Sequence, residues 1–281
     1  MGRIMEKLLK GIKSIFYCLF LELRFLFADA SNILCRQKTK ETKLKIAVHI
    51  HLFYPELAGH FIRLLKNFPY NFKLIITSCS ETSPAVKEKF QKAFTDVEFR
   101  VVANKGRDLG AFIYTLNEFN LEQYDLIIKL HSKSNKGQNL ISPWLINNHQ
   151  VLNRRYWRNS MEYALTGTKK QSAKLVRLFE DGKTGLAGAK RFFTENDRNT
   201  NEKETAATFA ICEKLGTVKK IAFFAGTIFA VKGEILTPLK AFSIDNFKSI
   251  NESSENTSIE YCLERIFGSL AVTRNLKIEC L

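Results

Sequence analysis

The chain has 281 residues, 45% of them hydrophobic with 23 Phe and only 5 Pro, enough for one large or two small packed domains and outside the range of disordered or fibrous proteins. Lys and Arg number 43 against 28 Asp and Glu, a formal net charge of +15. That excess favours an anionic partner, whether nucleic acid, an acidic membrane face or a phosphorylated substrate, without choosing among them.

Residues 1–43 are basic and aromatic. The apolar run from Ser14 to Phe27 is broken by Glu22 and Arg24. It is shorter than the roughly 20 apolar residues a bilayer-spanning helix needs. No small-residue cleavage site follows it, which argues against a signal peptide. The pattern predicts a helix lying in the membrane surface, with Lys7, Lys10 and Lys13 near anionic headgroups; the plainer reading is a helix packed on the domain.

From residue 44 the signals alternate. Lys45 to Phe53 is a strand by its β-branched and aromatic content, and Pro55 starts a helix with Leu57, Phe61, Leu64 and Leu65 at helical spacing. Phe72 to Thr77 is a second strand. Ser83 and Pro84 open a second helix through Val86, Phe90 and Phe94. Val97 to Ala103 is a third strand, and the loop Asn104 to Gly110 leads to a helix with Phe112, Leu116 and Phe119. Tyr124 to Leu130 is a fourth strand. Strands separated by helices imply parallel crossovers, hence a doubly wound, Rossmann-like α/β sheet with helices on both faces. Later in the chain a helical stretch holds Trp144 and Trp157, and Thr184 to Gly188 reads as a strand. Ile221 to Val231 reads as a buried strand with a glycine break, and Ile259 to Leu270 as a closing helix. Polar stretches lie at Thr194–Glu204 and Ile250–Thr257.

In such sheets ligands bind at the carboxyl ends of the strands. One such end is Asn104-Lys105-Gly106-Arg107-Asp108-Leu109-Gly110. Glycine lets backbone approach a ligand closely, and a helix start offers free N–H groups. Arginine can clamp a phosphate with two parallel hydrogen bonds, and aspartate can accept from sugar hydroxyls. A plain β–α turn with a local ion pair is the competing reading. The fourth strand ends in His131-Ser132-Lys133, and no carboxylate lies between Asp125 and Glu162. A metal-holding Asp-x-Asp at this strand end is therefore missing, and a Lys and a His could neutralise a leaving diphosphate directly. The six cysteines form no C-x-x-C pair and no zinc-ligand spacing, which fits reduced thiols in the cytoplasm.

Six short segments, in order, resemble the rhamnan-synthesis protein F family of bacterial polysaccharide glycosyltransferases, chiefly rhamnosyltransferases. They are His49 to Pro55, Asn104 to Phe112, Leu130 to Ser134, Tyr156-Trp157-Arg158, Phe224 to Phe229 and Leu263-Glu264-Arg265, and the resemblance spans about residues 44–268. It implies a glycosyltransferase-A-like domain over 44–281, with a nucleotide-binding half at 44–140 and an acceptor and catalytic half at 141–281. It also implies transfer of a deoxyhexose such as rhamnose from a nucleotide sugar, dTDP-rhamnose, to a lipid-linked surface polysaccharide of O-antigen (lipopolysaccharide), capsule or rhamnan type. The place of action would be the cytoplasmic face of the inner membrane, peripherally bound, with no cofactor; because the Asp-x-Asp is missing, a metal-free diphosphate clamp is favoured over the alternative of a divalent metal. The chain departs from the family's pattern at Lys105, where Arg is usual, and at Asn256-Thr257-Ser258 and Tyr261, where an Asp-Gly-Thr and a His are usual.

On that resemblance His51 and Tyr54 are expected on the base and ribose side of the donor. Asn104, Lys105, Gly106, Arg107, His131 and Lys133 are expected around the diphosphate, with Asp108 on ribose or sugar hydroxyls. Glu260 and Glu264, four apart on the last helix, are the candidate bases. Trp157, Arg158, Gly226, Thr227 and Arg265 are expected near the acceptor or the sugar. Each has a plainer reading as core, rim or ion-pair residue, Glu264-Arg265 as a buried structural pair among them. Two other readings of the whole chain compete: a non-catalytic member scaffolding a polysaccharide-synthesis complex, and a nucleic-acid-binding protein. The second is disfavoured because the basic residues are dispersed and no nucleic-acid motif appears. A nicotinamide dehydrogenase is disfavoured because no G-x-G-x-x-G follows the first strand.

Overall fold

The computed structural model describes residues 40–133, 157–195, 201–249 and 258–281, the backbone alone at 141–146, 149–152 and 154–156, and seven helical residues between Leu9 and Phe27. Most of the basic N-terminal segment, the Tyr156 side chain, Ser134, the polar residues 250–257 with Asn256 and Thr257, and residues 196–200 within Thr194–Glu204 lie outside the described residues.

A seven-stranded sheet organises the chain. Its first strands are β1 (Ile46–His51), β2 (Lys73–Ser78), β3 (Val97–Val101) and β4 (Leu126–His131). They are linked through α1 (Ala58–Leu65), α2 (Pro84–Ala93) and α3 (Arg107–Phe119). The hairpin β5 (Ile141–Ile146) and β6 (His149–Leu152) precedes α4 (Arg154–Thr166), α5 (Lys169–Glu180) and β7 (Thr184–Gly188). After β8 (Phe193–Glu195) come α6 (Glu202–Lys214), β9 (Ala222–Phe224), β10 (Phe229–Val231), α7 (Ile259–Thr273) and β11 (Lys277–Cys280). The sheet order is β11-β7-β10-β4-β1-β2-β3. Strand β10 runs antiparallel to both β4 and β7, and the other pairs are parallel. This is the mostly parallel, Rossmann-like sheet expected, and strands from both halves of the chain share it.

Alternation along the strands decides what covers each face. Ile46, Val48, Ile50, Ile128 and Leu130 face a core built with α1, α2, α4 and α5. Ala47, Ile75 and Ile127 face the opposite core, built with α3 and α7 around Phe112, Phe229 and Phe267. Helices therefore close both faces. His49, His51, Thr77, Lys129 and His131 continue the second alternation and are buried at the carboxyl ends of their strands.

Three expectations change. Trp144 lies on β5, not on a helix. Pro143 cannot donate to a helical ladder and biases Ser142 toward extended backbone, which suits a hairpin strand. The segment Ile221 to Val231 is two strands rather than one: β9 pairs with β8, while β10 enters the main sheet. The third helix starts earlier than expected, at Arg107, so Arg107 to Gly110 form its first turn and not a loop. Gly110 permits this, since a Cβ there would strike the Lys105 carbonyl.

Candidate active site

The loop before α3 and the turn between β9 and β10 meet over the end of β4. Asp108, in the first turn of α3, accepts at Oδ2 from Lys129 Nζ and from Thr227 Oγ1, each at 2.5 Å. Lys129 also donates to the Thr227 carbonyl at 2.9 Å. Its side chain is wholly buried, with Nζ 5.6 Å from the ring centroids of both Phe112 and Phe229. His131 places Nε2 2.8 Å from the Gly226 carbonyl, which can only accept, so the ring carries its proton there. The Gly226 N–H donates to Glu264 Oε1 of α7 at 2.7 Å. One run of contacts thus joins α3, β4, the Gly226 turn and α7.

The turn is strained on purpose. Gly226 has φ +98° and Thr227 φ +57°. A non-glycine residue in the left-handed region costs roughly 1–2 kcal/mol, and persists where neighbours over-determine it. Here Asp108 and Lys129 hold Thr227 by side chain and backbone together. Gly106 and Arg107 are also left-handed, at φ 62° and 55°, where the chain enters α3. A side chain at Gly106 would run into the Phe247 ring.

The charges divide into buried and reachable groups. Burial alone would raise the Asp108 carboxyl, but the adjacent His131 ring and Lys129 ammonium, with the hydrogen bonds from Lys129 and Thr227, hold it well below the usual carboxylate range. Burial pushes Lys129 down, opposed by Asp108. Burial likewise lowers His131, and takes His51 down to about 4, in each case against the pull of Asp108. Both rings are therefore neutral at pH 7, and His131 enters as a hydrogen-bonding group rather than as the cation expected at the diphosphate. Glu264 is shifted the other way. Burial raises its carboxyl, and Asp108 adds to that, against the lowering by the Gly226 hydrogen bond and the nearby Arg265 and Lys133.

The remaining expected residues fall around this centre. Lys133 Nζ sits 3.3 Å above the Trp157 ring, a close cation–π contact. Trp157 packs against Gly226, where a Cβ would collide with its indole. Arg158 donates to the Lys133 carbonyl at 2.9 Å. It lies in a buried network with Glu162, whose Oε2 is 2.6 Å from His60 Nε2. Arg107 is exposed, with its guanidinium 4.8 Å from the Tyr261 ring of α7. Tyr54 and Phe53 stand edge to face at 5.0 Å, and the Tyr54 N–H donates to Ser132 Oγ at 2.9 Å. His51 Nδ1 lies 3.0 Å from Thr77 Oγ1. Asn104 is exposed on the same loop as Arg107.

Several expected residues are engaged elsewhere. Lys105 Nζ is 3.5 Å from Asp245. Arg265 pairs with Glu204 of α6 at 3.6 Å and donates to the Tyr261 carbonyl, so the Glu264-Arg265 neighbours do not pair with each other. Glu260 is buried and its Oε1 has no hydrogen-bond partner among the described residues, whereas Glu264 is half-buried on the Gly226 turn. Lys129 was given no role from the sequence. The signal was present: a single charge inside Leu126-Ile127-Ile128-Lys129-Leu130, on the face that carries His131. Among the described residues no group of three His, Cys, Asp or Glu side chains is placed to hold a metal ion.

Among solved structures, the mannosyltransferase Ktr4p from S. cerevisiae is similar with a TM-score of 0.39 at 8% identity, covering 92% of this chain and 76% of that one. No curated protein matches. A family described as rhamnan synthesis protein F matches residues 18–276, nearly the whole chain. The chain belongs to the rhamnan synthesis protein F family, and is a polysaccharide glycosyltransferase.

Proposed function

We propose that the protein moves a deoxyhexose, rhamnose, from dTDP-rhamnose to a lipid-linked surface polysaccharide of the O-antigen, capsule or rhamnan type, at the cytoplasmic face of the inner membrane. The observation that carries the chemistry is Glu264, a half-buried carboxylate oriented by the Gly226 N–H and raised above its ordinary range. A base tuned toward the working pH is what deprotonation of a sugar hydroxyl requires.

In this reading Glu264 takes the proton of the acceptor hydroxyl as its oxygen bonds to the anomeric carbon of the donor. The bond from that carbon to the diphosphate breaks, and its electron pair leaves on the phosphate oxygen. Arg107 and Lys133 are the cations that meet the developing charge, with no metal assigned to that task. Trp157 steers Lys133 by the cation–π contact and Arg158 fixes its backbone. His131 and the Asp108–Lys129 pair act one step back, by holding the Gly226–Thr227 turn. Tyr54, Phe53 and His51, at the end of β1, form the side for the nucleotide base and ribose.

The test is donor binding and hydrolysis by the full chain, screened over dTDP-rhamnose, other nucleotide sugars and free nucleotides, with and without EDTA. The reading expects selective dTDP-rhamnose binding that survives EDTA and is lost in Lys133→Ala. Binding abolished by EDTA sinks the lysine-and-arginine clamp, and binding to no nucleotide sugar sinks the transferase reading.

A further inference from the structure

Two surface features outside the site point to one kind of partner. The first is apolar. Leu9, Ile12, Phe16, Leu19, Leu23 and Phe27 are helical and exposed, between 44% and 73%. At 3.6 residues per turn their spacing confines them to one stripe about 100° wide. Six large apolar side chains on one stripe facing water mark an interaction surface rather than chance exposure. The second is basic. A cleft of about 540 Å³ along α5 is lined by Lys40, Lys169, Lys170, Lys174 and Arg177, with Asp181 the one acid. None of the five cations has an ion pair among the described residues. Lys40 joins the two features, because it lines the cleft, bonds its N–H to the Pro69 carbonyl, and lies thirteen residues beyond Phe27 in the chain.

An exposed apolar stripe together with a cleft of unpaired cations matches a surface that is both anionic and oily. A nucleic acid would use the cations and leave the leucines and phenylalanines in water. An apolar protein groove would leave the lysines unused. We propose that the Leu9–Phe27 stripe and the Lys40–Arg177 cleft dock the protein on an anionic phospholipid bilayer, the stripe entering the interface and the cleft holding lipid phosphates. This rests on the peripheral membrane location proposed above, and adds α5, far in sequence from the N-terminal segment, to the membrane-binding surface. It is independent of which sugar is transferred.

The test uses the full chain and sedimentation with vesicles of phosphatidylcholine alone or mixed with phosphatidylglycerol. The expected result is binding to the phosphatidylglycerol vesicles, weakened by added salt because exposed charges are screened. Each cation near such a surface is worth about fivefold in affinity, so K170Q/K174Q/R177Q should bind about a hundredfold more weakly. F16S/L23S/F27S should lose binding to the same vesicles. Both variants should keep the wild-type circular dichroism and dTDP-rhamnose binding in solution, which separates failure of docking from failure of the transferase reading. Equal binding to uncharged vesicles, unchanged binding by the triple α5 variant, or retention on RNA with no vesicle binding would each overturn the proposal. Should the triple variant misfold, Lys174→Gln alone decides it: a loss of about fivefold is expected, and no loss overturns the role of the cleft.

Discussion

The backbone N–H of Gly226 donates to Oε1 of Glu264 at 2.7 Å, so a turn between two strands aims a carboxylate of the last helix. The same turn is held from beneath by His131, Lys129 and Asp108. A base oriented this way keeps its second oxygen for the acceptor. The residues of three separate chain segments are thereby tied to the position of one proton acceptor.

Glu264→Gln keeps an acceptor for the Gly226 N–H and removes the base. Transfer should fall roughly 10²–10⁴-fold, the usual range for a lost general base, with donor affinity nearly unchanged. Because the folded carboxyl is raised, the group ionises later than an ordinary glutamate as pH increases. Wild-type kcat should therefore decline on acidification at a pH above the ordinary carboxylate range, and the residual rate of the Gln variant should lack that limb. Rate–pH profiles of both proteins check this. Equal profiles would remove Glu264 from the base role and return it to Glu260.

Lys129 and Asp108 form a buried pair of which neither member tolerates loss of the other. Lys129→Met leaves an ionised, largely enclosed carboxylate, a change that typically costs about 3–5 kcal/mol. Lys129→Met with Asp108→Leu removes both charges and should recover most of that stability in urea unfolding. The double variant should still be inactive, since Thr227 then loses both groups that hold its left-handed backbone. Recovery of activity along with stability would show that the pair only stabilises the fold.

How much of this was legible in the sequence follows from the range of the interactions. The first four strands, their chain order and the crowded strand ends were readable, because alternation and helical spacing act over a few residues: Ile46, Val48 and Ile50 declare one face, Phe61, Leu64 and Leu65 another. The extra helices α5 and α6, the hairpin β5–β6, the short strand β8 and the edge strand β11 were not assigned. Strand β11 is a short, half-exposed edge whose pairing with β7 comes from tertiary placement. The logic of Lys129 was beyond local reading for the same reason, since Thr227 is 98 residues away from it. Arg265 looked like a partner for Glu264, yet consecutive helix residues point apart, and Glu204 of α6 supplies its carboxylate. Asp108 looked free to hold a sugar hydroxyl, whereas its Oδ2 is engaged by Lys129 and Thr227.

Gly226→Ala meets two penalties at once. The backbone has φ +98°, which L side chains avoid, and the new methyl would enter the Trp157 indole. Strain of this kind costs of order 1–3 kcal/mol, and relief by moving Trp157 would displace Lys133 from its ring. The expected outcome is a lower unfolding midpoint, altered tryptophan fluorescence and weaker donor binding. Adding Trp157→Leu should restore part of the stability, by removing the collision but not the φ penalty. Donor binding should remain weak, because the seat of Lys133 is gone.

Acid should destabilise the protein through its buried histidines before it titrates the Asp108 carboxylate, which is held well below its ordinary range. His49 and His51 both hydrogen-bond Thr77 Oγ1 at 3.0 Å, and burial, with Lys129 nearby, favours their neutral forms against the pull of Asp108. His51 titrates at about 4 in the folded chain against an ordinary 6.5. Between those values the unfolded chain binds the proton and the folded one does not, so folding stability rises with pH across that window. The contribution of His51 is fully present above pH 6.5 and is lost as pH falls to about 4, a change of about 3 kcal/mol at 1.36 kcal/mol per unit. Urea unfolding at steps from pH 7 to pH 4 should show this slope, and His51→Gln should flatten it while lowering stability at pH 7. His49 and His131, whose folded forms are also held neutral by burial, add to the slope that remains, and the raised Glu264 carboxyl opposes it. An identical slope in wild type and variant would mean that His51 takes up its proton in the folded state, and that the strand ends are wetter than their burial indicates.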